Sequence, residues 1–278
     1  MSTRRVDTGT DTVLIHVANG VGLITLNRPE RRNALHRDMY EPIKLALAEF
    51  ALADDVGCIV ITGSGNGFCA GGDVRDGRSR EPGATRPTVE QAAAELHSDA
   101  MVAQMLHESP KLTVAAVNGA AVGAGLSLAL ACDLRIMTRS ATLVTGWARL
   151  AFSGDFGGTW FLTRLAGPSK AIELLATNAA IAADQALTLG LTNRVVDDSL
   201  FVSEWTRWAE TLARGPGSAF AAMKANVHQA SVEPLASALV SESLRMVQAS
   251  RTPDNREAVR AWLEKREPNF RPTTPTAN

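Results

Sequence analysis

A chain of 278 residues that is 45% hydrophobic and 21% charged has the composition of a globular protein and the length to bury a large core without metals or disulfides. Its formal net charge of -1 gives no electrostatic reason to expect nucleic acid or an anionic membrane as partner, although local basic clusters leave room for a small polyanion. Cys58, Cys69 and Cys132 show no CxxC spacing and the five histidines form no HxxxH or HExxH pattern, which disfavours a disulfide framework or a metal centre and predicts buried thiols in a cytoplasmic, reducing compartment.

Residues 1–11 lack an apolar run and read as a flexible tail. Val13–Val17 and Val21–Leu26 form a hairpin pattern around Ala18-Asn19-Gly20. A helix is predicted from Arg37 to Leu52, with Met39, Ile43, Leu47 and Phe50 at helical spacing, followed by a buried strand at Cys58–Thr62. Arg75–Thr88, rich in Gly, Pro and Arg, reads as a surface loop, and a helix from Val89 to Leu106 leads to a strand at Thr113–Val117. The uncharged stretch Leu112–Cys132 is long enough to cross a bilayer. Asn118-Gly119 interrupts it, however, and Gly123 and Gly125 follow, so it reads as strand, turn and buried helix, the helix at Ala124–Ala131. Strands at Leu134–Met137 and Thr142–Thr145 come next.

Beyond Phe156, helical periodicity dominates over 157–165, 169–176, 183–189, 200–213, 217–229, 234–249 and 254–266, with one strand at Thr192–Val196. Strands before helices predict an α/β core over 12–198 and a helical extension over 199–270, and the Pro/Thr-rich 271–278 reads as a second flexible tail. No internal sequence repeat is evident.

Two small-residue turns carry the chemistry. Gly67-Phe68-Cys69-Ala70-Gly71-Gly72-Asp73 and Ala116-Val117-Asn118-Gly119-Ala120-Ala121-Val122-Gly123-Ala124-Gly125 each follow an apolar, β-branched run. Each could expose a bare backbone N–H, the first through Gly conformations and the second at a helix N-terminus. Two such donors aimed at one carbonyl oxygen make an oxyanion hole, although alone the first is better explained as an ordinary glycine turn and the second has tight helix packing as its alternative. Gly63-Ser64-Gly65-Asn66-Gly67 superficially suggests a dinucleotide loop, but Phe68 stands where the third glycine belongs and no helix follows directly.

The pattern as a whole resembles the crotonase, or enoyl-CoA hydratase/isomerase, superfamily over residues 12 to 270. The resemblance rests on Asn27–Leu35, the FCAGGD and AAVNGAAVGAG segments, Gly157-Gly158-Thr159 and Ala261–Arg266. It implies an α/β spiral of ββα units with a helical C-terminal extension over 199–270 that serves trimerisation. It also implies an acyl-CoA thioester as substrate, so that coenzyme A arrives as part of the substrate and no cofactor is bound permanently. The N–H groups of Gly72 and Ala124 would hold the thioester oxygen, and the Ala70 carbonyl would accept from the adenine amino group. Arg28, Arg31 or Arg32 would meet the coenzyme's phosphates or, alternatively, be ordinary solvated side chains. Ala34, Asp73 and Val74 are placed with them at the coenzyme site. Trp262 and Lys265 match positions that reach a neighbouring subunit's coenzyme, which implies a homotrimer or dimer of trimers.

The family's two hydratase glutamates fall on Ser127 and Trp147 here. Hydration needs one group to activate water and another to deliver a proton, so simple hydration is disfavoured. Asp155 remains. It is either an N-cap for the following helix or a proton shuttle in the acyl pocket, and the two roles pull its acidity in opposite directions. The local pattern is similar to the ring 1,2-epoxyphenylacetyl-CoA isomerase branch, in which an aspartate at this place moves a proton. Trp147 and Asp155 also match the 4-chlorobenzoyl-CoA dehalogenases, where the aspartate is a nucleophile and a histidine the base. That histidine position falls on Ala100, one helical turn from His97. Ser127, Trp147 and Phe152, with Phe68, Phe156 and Trp160, are candidates to line the acyl pocket or simply to pack the core. A non-catalytic acyl-CoA binder is the remaining alternative.

Overall fold

The computed structural model describes residues 4–75 and 86–270. Its frame is a seven-stranded sheet in the order β1-β2-β3-β4-β6-β8-β11 and a four-stranded sheet in the order β10-β9-β7-β5. The large sheet contains β1 (Arg4–Val6), β2 (Val13–Ala18), β3 (Val21–Leu26), β4 (Cys58–Gly63), β6 (Leu112–Val117), β8 (Leu134–Thr138) and β11 (Arg194–Val196). The small one contains β5 (Gly67–Cys69), β7 (Ala120–Val122), β9 (Thr142–Val144) and β10 (Ile181–Ala182). From β3 to β11 the large sheet is parallel, in a register that aligns Ile24 with Ile61, Ile61 with Ala115 and Ala115 with Arg135.

The two strand orders explain the spiral. Each unit runs from a large-sheet strand to a small-sheet strand and then to a helix. The three units are β4–β5–α2 (Val89–Glu108), β6–β7–α3 (Ala124–Ala131) and β8–β9–α4 (Gly158–Ala166). Successive units sit side by side in both sheets. The expected α/β spiral of ββα units is therefore present, although the sequence shows no repeat. What recurs is the order of buried strand, short strand and helix.

Both faces of the large sheet are covered, so its central strands read as continuous apolar runs. β4 is buried at all six positions. Ile59 and Ile61 face the main core with Met39, Ile43, Leu47 and Phe50 of α1 (Arg37–Leu52), while Cys58 and Val60 face Phe201, Ala209 and Ala213 of α7 (Phe201–Ala213). α3 is buried at every residue, which accounts for its lack of a polar face. Among the described residues no helix is long and apolar enough to cross a membrane.

Two features depart from the sequence reading. Arg4–Val6, within the expected flexible tail 1–11, is a strand paired antiparallel with β2, and its Arg4 guanidinium reaches Glu49 (2.5 Å) and Asp55 (3.1 Å). The edge of β2 offers free backbone groups, and two carboxylates hold the arginine there. β5 and β7, read as parts of turns, are short strands; three residues are too few to show a period. Most of the expected loop at Arg75–Thr88 and the tail 271–278 lie outside the described residues.

The C-terminal helices α8 (Gly217–Ala230), α9 (Leu235–Ala249) and α10 (Pro253–Leu263) follow the core. Lys224 of α8 is buried and its Nζ lies 2.8 Å from Asp133, whose Oδ2 also accepts from the N–H and hydroxyl of Thr113. Within the single chain α9 buries no residue, and Leu235, Val240 and Trp262 stand more than two-thirds exposed (74%, 72% and 78%).

Candidate active site

The first small-residue turn leaves β5 and is fastened on both sides by Leu35. The Leu35 N–H donates to the Gly71 carbonyl (2.8 Å) and the Asp73 N–H to the Leu35 carbonyl (2.9 Å). The intervening N–H, that of Gly72, enters no hydrogen bond among the described residues. The second turn leaves β7. The Gly123 N–H is fixed on the Val144 carbonyl (3.0 Å), and Ala124 opens α3, where its N–H has no carbonyl one turn earlier to accept it.

Parallel pairing of β5 with β7, Cys69 opposite Ala121, brings the two turns together. Gly71 is required at the junction. Its φ is +90°, and a Cβ there would stand 2.9 Å from the Val122 carbonyl oxygen and 3.6 Å from the Ala124 nitrogen. Gly72 and Ala124 border one cavity of about 510 Å³, with Ala70, Asp73 and Val74 at its rim.

Asp155 lines the same cavity. The Trp147 indole Nε1–H donates to its Oδ1 (3.0 Å), while its backbone carbonyl accepts from the Ser127 hydroxyl (3.0 Å) and the Gly158 N–H (2.9 Å). α4 begins at Gly158 with Gly157 as its N-cap, and no side chain caps it. The carboxyl is therefore turned into the cavity and does not serve as a cap. Burial pushes Asp155 above the ordinary aspartate value, and the Trp147 hydrogen bond opposes that shift.

Ser127 is corrected from pocket wall to support. It is fully buried, does not line the cavity, and acts on Asp155 through the main chain. Trp147 and Phe152 do line the cavity, the first buried and the second exposed. Gly158 lets the indole lie close: a Cβ at that position would stand 2.3 Å from Trp147 Cη2 and 2.5 Å from Ser127 Oγ.

The candidate coenzyme residues are only partly gathered. Arg28 donates to the carbonyl of buried Ala34 (2.7 Å) and pairs with Asp73 (3.1 Å), bracing the first turn. Against its burial, the Arg75 N–H and Arg28 hold the Asp73 carboxyl below its ordinary value. Arg28, Arg31, Ala34, Trp262 and Lys265 do not line the cavity, and Arg31, Trp262 and Lys265 are exposed. His97 is likewise exposed and outside it, and the half-buried Ala100 is outside it too. The cavity wall also holds ionisable residues that the motifs did not single out, Arg37 and Tyr40 of α1 and Asp99 of α2. Among the described residues no group of three or more His, Cys, Asp or Glu side chains could hold a metal ion.

Fold and cavity together define a crotonase-type enzyme. The family model described as "Enoyl-CoA hydratase/isomerase" matches residues 16–273. A probable enoyl-CoA hydratase of Rhodobacter capsulatus is 37% identical over 93% of this chain and 97% of its own. The 1,2-epoxyphenylacetyl-CoA isomerase of Escherichia coli is 35% identical over the same shares. The crystal structure of an enoyl-CoA hydratase from a Polaromonas species superposes with a TM-score of 0.87 at 32% identity, covering 93% of this chain and 99% of that one. The chain belongs to the enoyl-CoA hydratase/isomerase family, whose members act on acyl-CoA thioesters.

Proposed function

We propose that the protein is an enoyl-CoA isomerase that moves a double bond by proton transfer through Asp155. The observation that carries this reading is the Asp155 carboxyl, raised by burial and aimed by Trp147, in one cavity with two unused backbone donors, while serine and tryptophan occupy the positions that match the hydratase glutamates. Starting from a 3-enoyl-CoA, the Asp155 carboxylate takes a proton from C2. The electron pair passes to the thioester oxygen, where the N–H groups of Gly72 and Ala124 hold the dienolate. The carboxylic acid then returns the proton to C4, leaving the double bond between C2 and C3. One carboxyl suffices because it is base and then acid, whereas addition of water calls on two groups.

The test is ¹H NMR in D₂O with 2-enoyl- and 3-enoyl-CoA substrates, aliphatic and phenyl-bearing. The expected result is double-bond migration with deuterium at the α or γ carbon, and a loss of about 10²–10⁴-fold in Asp155→Asn. The wild-type kcat/KM should fall in acid with an inflection above the ordinary aspartate value, because the base must be ionised and burial raises it. Full activity in Asp155→Asn refutes the assignment, and clean formation of a 3-hydroxyacyl-CoA would mean hydration.

A second reading is favoured by the Trp147–Asp155 hydrogen bond, which would also hold an aspartate nucleophile for dehalogenation or hydrolysis. Turnover in ¹⁸O-water separates the two, since label entering Asp155 or the product indicates nucleophilic attack and its absence a proton shift. We further propose a homotrimer or dimer of trimers, supported by the uncovered apolar side chains of α9 and α10, with Trp262 and Lys265 approaching a neighbour's coenzyme. Mass photometry would check the assembly.

A further inference from the structure

α2 buries Val102, Ala103 and Leu106 against the core. Asp99 stands three, four and seven residues before them, so it continues the inward stripe at helical spacing. At that position an apolar side chain is the rule, and here a carboxyl faces the cavity it shares with Asp155. It comes from a different wall, since Asp155 precedes α4, and Leu35, Tyr40, Val122 and Leu150 supply apolar surface to the same space. Asp99 makes no hydrogen bond or ion pair among the described residues.

A half-buried carboxyl without a donor of its own has unused acceptor capacity that water fills when the cavity is empty and that an occupant can fill when it is not. Burial pushes Asp99 above its ordinary value, opposed by the charges of Lys44 and Arg37, while Glu95 adds to the rise. The charged groups that act on it, counted with Asp99 itself, balance as two of each sign. A neutral donor satisfies the carboxyl without upsetting that balance, and an ammonium group would upset it.

We propose that Asp99 is a specificity-determining residue that accepts a hydrogen bond from a hydroxyl on the acyl part of the substrate, so that the preferred thioesters are hydroxylated acyl-CoAs and not plain hydrocarbon ones. The proposal rests on the reading of the cavity as an acyl-CoA site. It is independent of which bond is made or broken there.

The test is binding, measured by calorimetry with saturated acyl-CoAs that cannot react, in pairs that differ only by a hydroxyl at the chain end and over a short series of chain lengths. The wild-type protein should bind the hydroxylated member more tightly for at least one length. Asp99→Leu should erase that preference, a change of about tenfold or more in the ratio of the two Kd values, while leaving the plain thioester's Kd unchanged or lower. Asp99→Asn, which keeps an acceptor oxygen, should retain part of it. Because leucine suits the inward stripe, Asp99→Leu should melt no lower than the wild type, which separates loss of recognition from loss of fold.

An unchanged ratio in Asp99→Leu, no preference in the wild type, or a stronger preference for the matching aminoacyl-CoA overturns the proposal. So does a loss of turnover on plain enoyl-CoAs in Asp99→Leu with their binding intact, which would make Asp99 a second acid–base group. Loss of the isomerase reading alone would show as activity surviving in Asp155→Asn, with the binding ratios untouched. Failure of both members of every pair to bind would remove the acyl-CoA reading itself.

Discussion

Replacing Gly158 by alanine tests whether the Trp147–Asp155 contact directs the chemistry. The added Cβ would stand 2.3 Å from Trp147 Cη2 and 2.5 Å from Ser127 Oγ. Carbon atoms rest at about 3.5–4.0 Å, so the indole must retreat by more than about 1 Å. Trp147 is only 5% exposed and has little room to move, and its Nε1–H is what fixes Asp155 Oδ1 at 3.0 Å. Overpacking of this kind costs about 1–3 kcal/mol, which lowers Tm by about 2–4 °C per kcal/mol in a chain of this size class. A displacement of about 1 Å at the reacting group costs on the order of 10²-fold in kcat. Both quantities are measurable, by differential scanning calorimetry and by the rate of double-bond migration. Trp147→Phe removes the Cη2 atom, so adding Gly158→Ala in that background should cost less than it does in the wild type, a non-additivity that reports direct contact. If Gly158→Ala keeps the wild-type Tm and kcat, or if its effect is the same in both backgrounds, the argued clamp does not exist.

Gly71→Ala should lower kcat/KM by about 10²-fold or more, because a Cβ at φ +90° and 2.9 Å from the Val122 oxygen must move the turn that presents Gly72; wild-type kinetics in that variant would exclude the turn from catalysis. The three cysteines are buried, and burial pushes Cys69 and Cys132 up to about 12, so none should react with a thiol reagent at neutral pH until the chain is unfolded. His107, whose ring stacks on His228 at 4.0 Å, is pushed down to about 4 by burial and by the charges of His228 and Lys224. Its unfolded-state value lies near 6.5, so unfolding takes up a proton between the two values. Stability is fully present above about pH 6.5 and falls as the pH drops toward 4. Tm measured across that window should fall less steeply in His107→Gln, and an unchanged slope would refute the assignment.

The elements that announced themselves in the sequence were those with enough length to show a period, as α1 does, or with turn residues marking the start of an apolar run, as before α3. α1 and α3 run over the expected residues, Arg37–Leu52 and Ala124–Ala131, and the two turns bearing Gly72 and Ala124 were marked by glycine and by the apolar runs before them. β5 and β7 were invisible as strands, since three residues carry no alternation and the ladder between them is a tertiary fact. The environment of Asp155 was open because cap and cavity make opposite demands, and only the position of the Trp147 indole relative to the first turn of α4 decides between them. Ser127 looked like a wall because its position was compared with that of a catalytic carboxylate, yet a hydroxyl too short to cross the indole becomes a brace behind it. Asp99 went unnoticed in a helix whose first half is exposed. The signal was available in its spacing to Val102, Ala103 and Leu106, and it becomes meaningful once those three are known to face inward.

The unused donors at Gly72 and Ala124 sit at the ends of two strands hydrogen-bonded to each other, and the side chains that would choose the reaction come from elsewhere: Trp147 and Asp155 from the segment leading into α4, Asp99 from α2. In the proposed reading main-chain groups thus set where an oxygen would be held, and exchange of Trp147, Asp155 or Asp99 leaves that spacing alone. Such a frame separates inheritance into two parts. The anchoring half is copied with the main-chain geometry, while the reactive half is free to vary one side chain at a time, so a lineage can trade one transformation for another without passing through a protein that has lost its grip on the substrate.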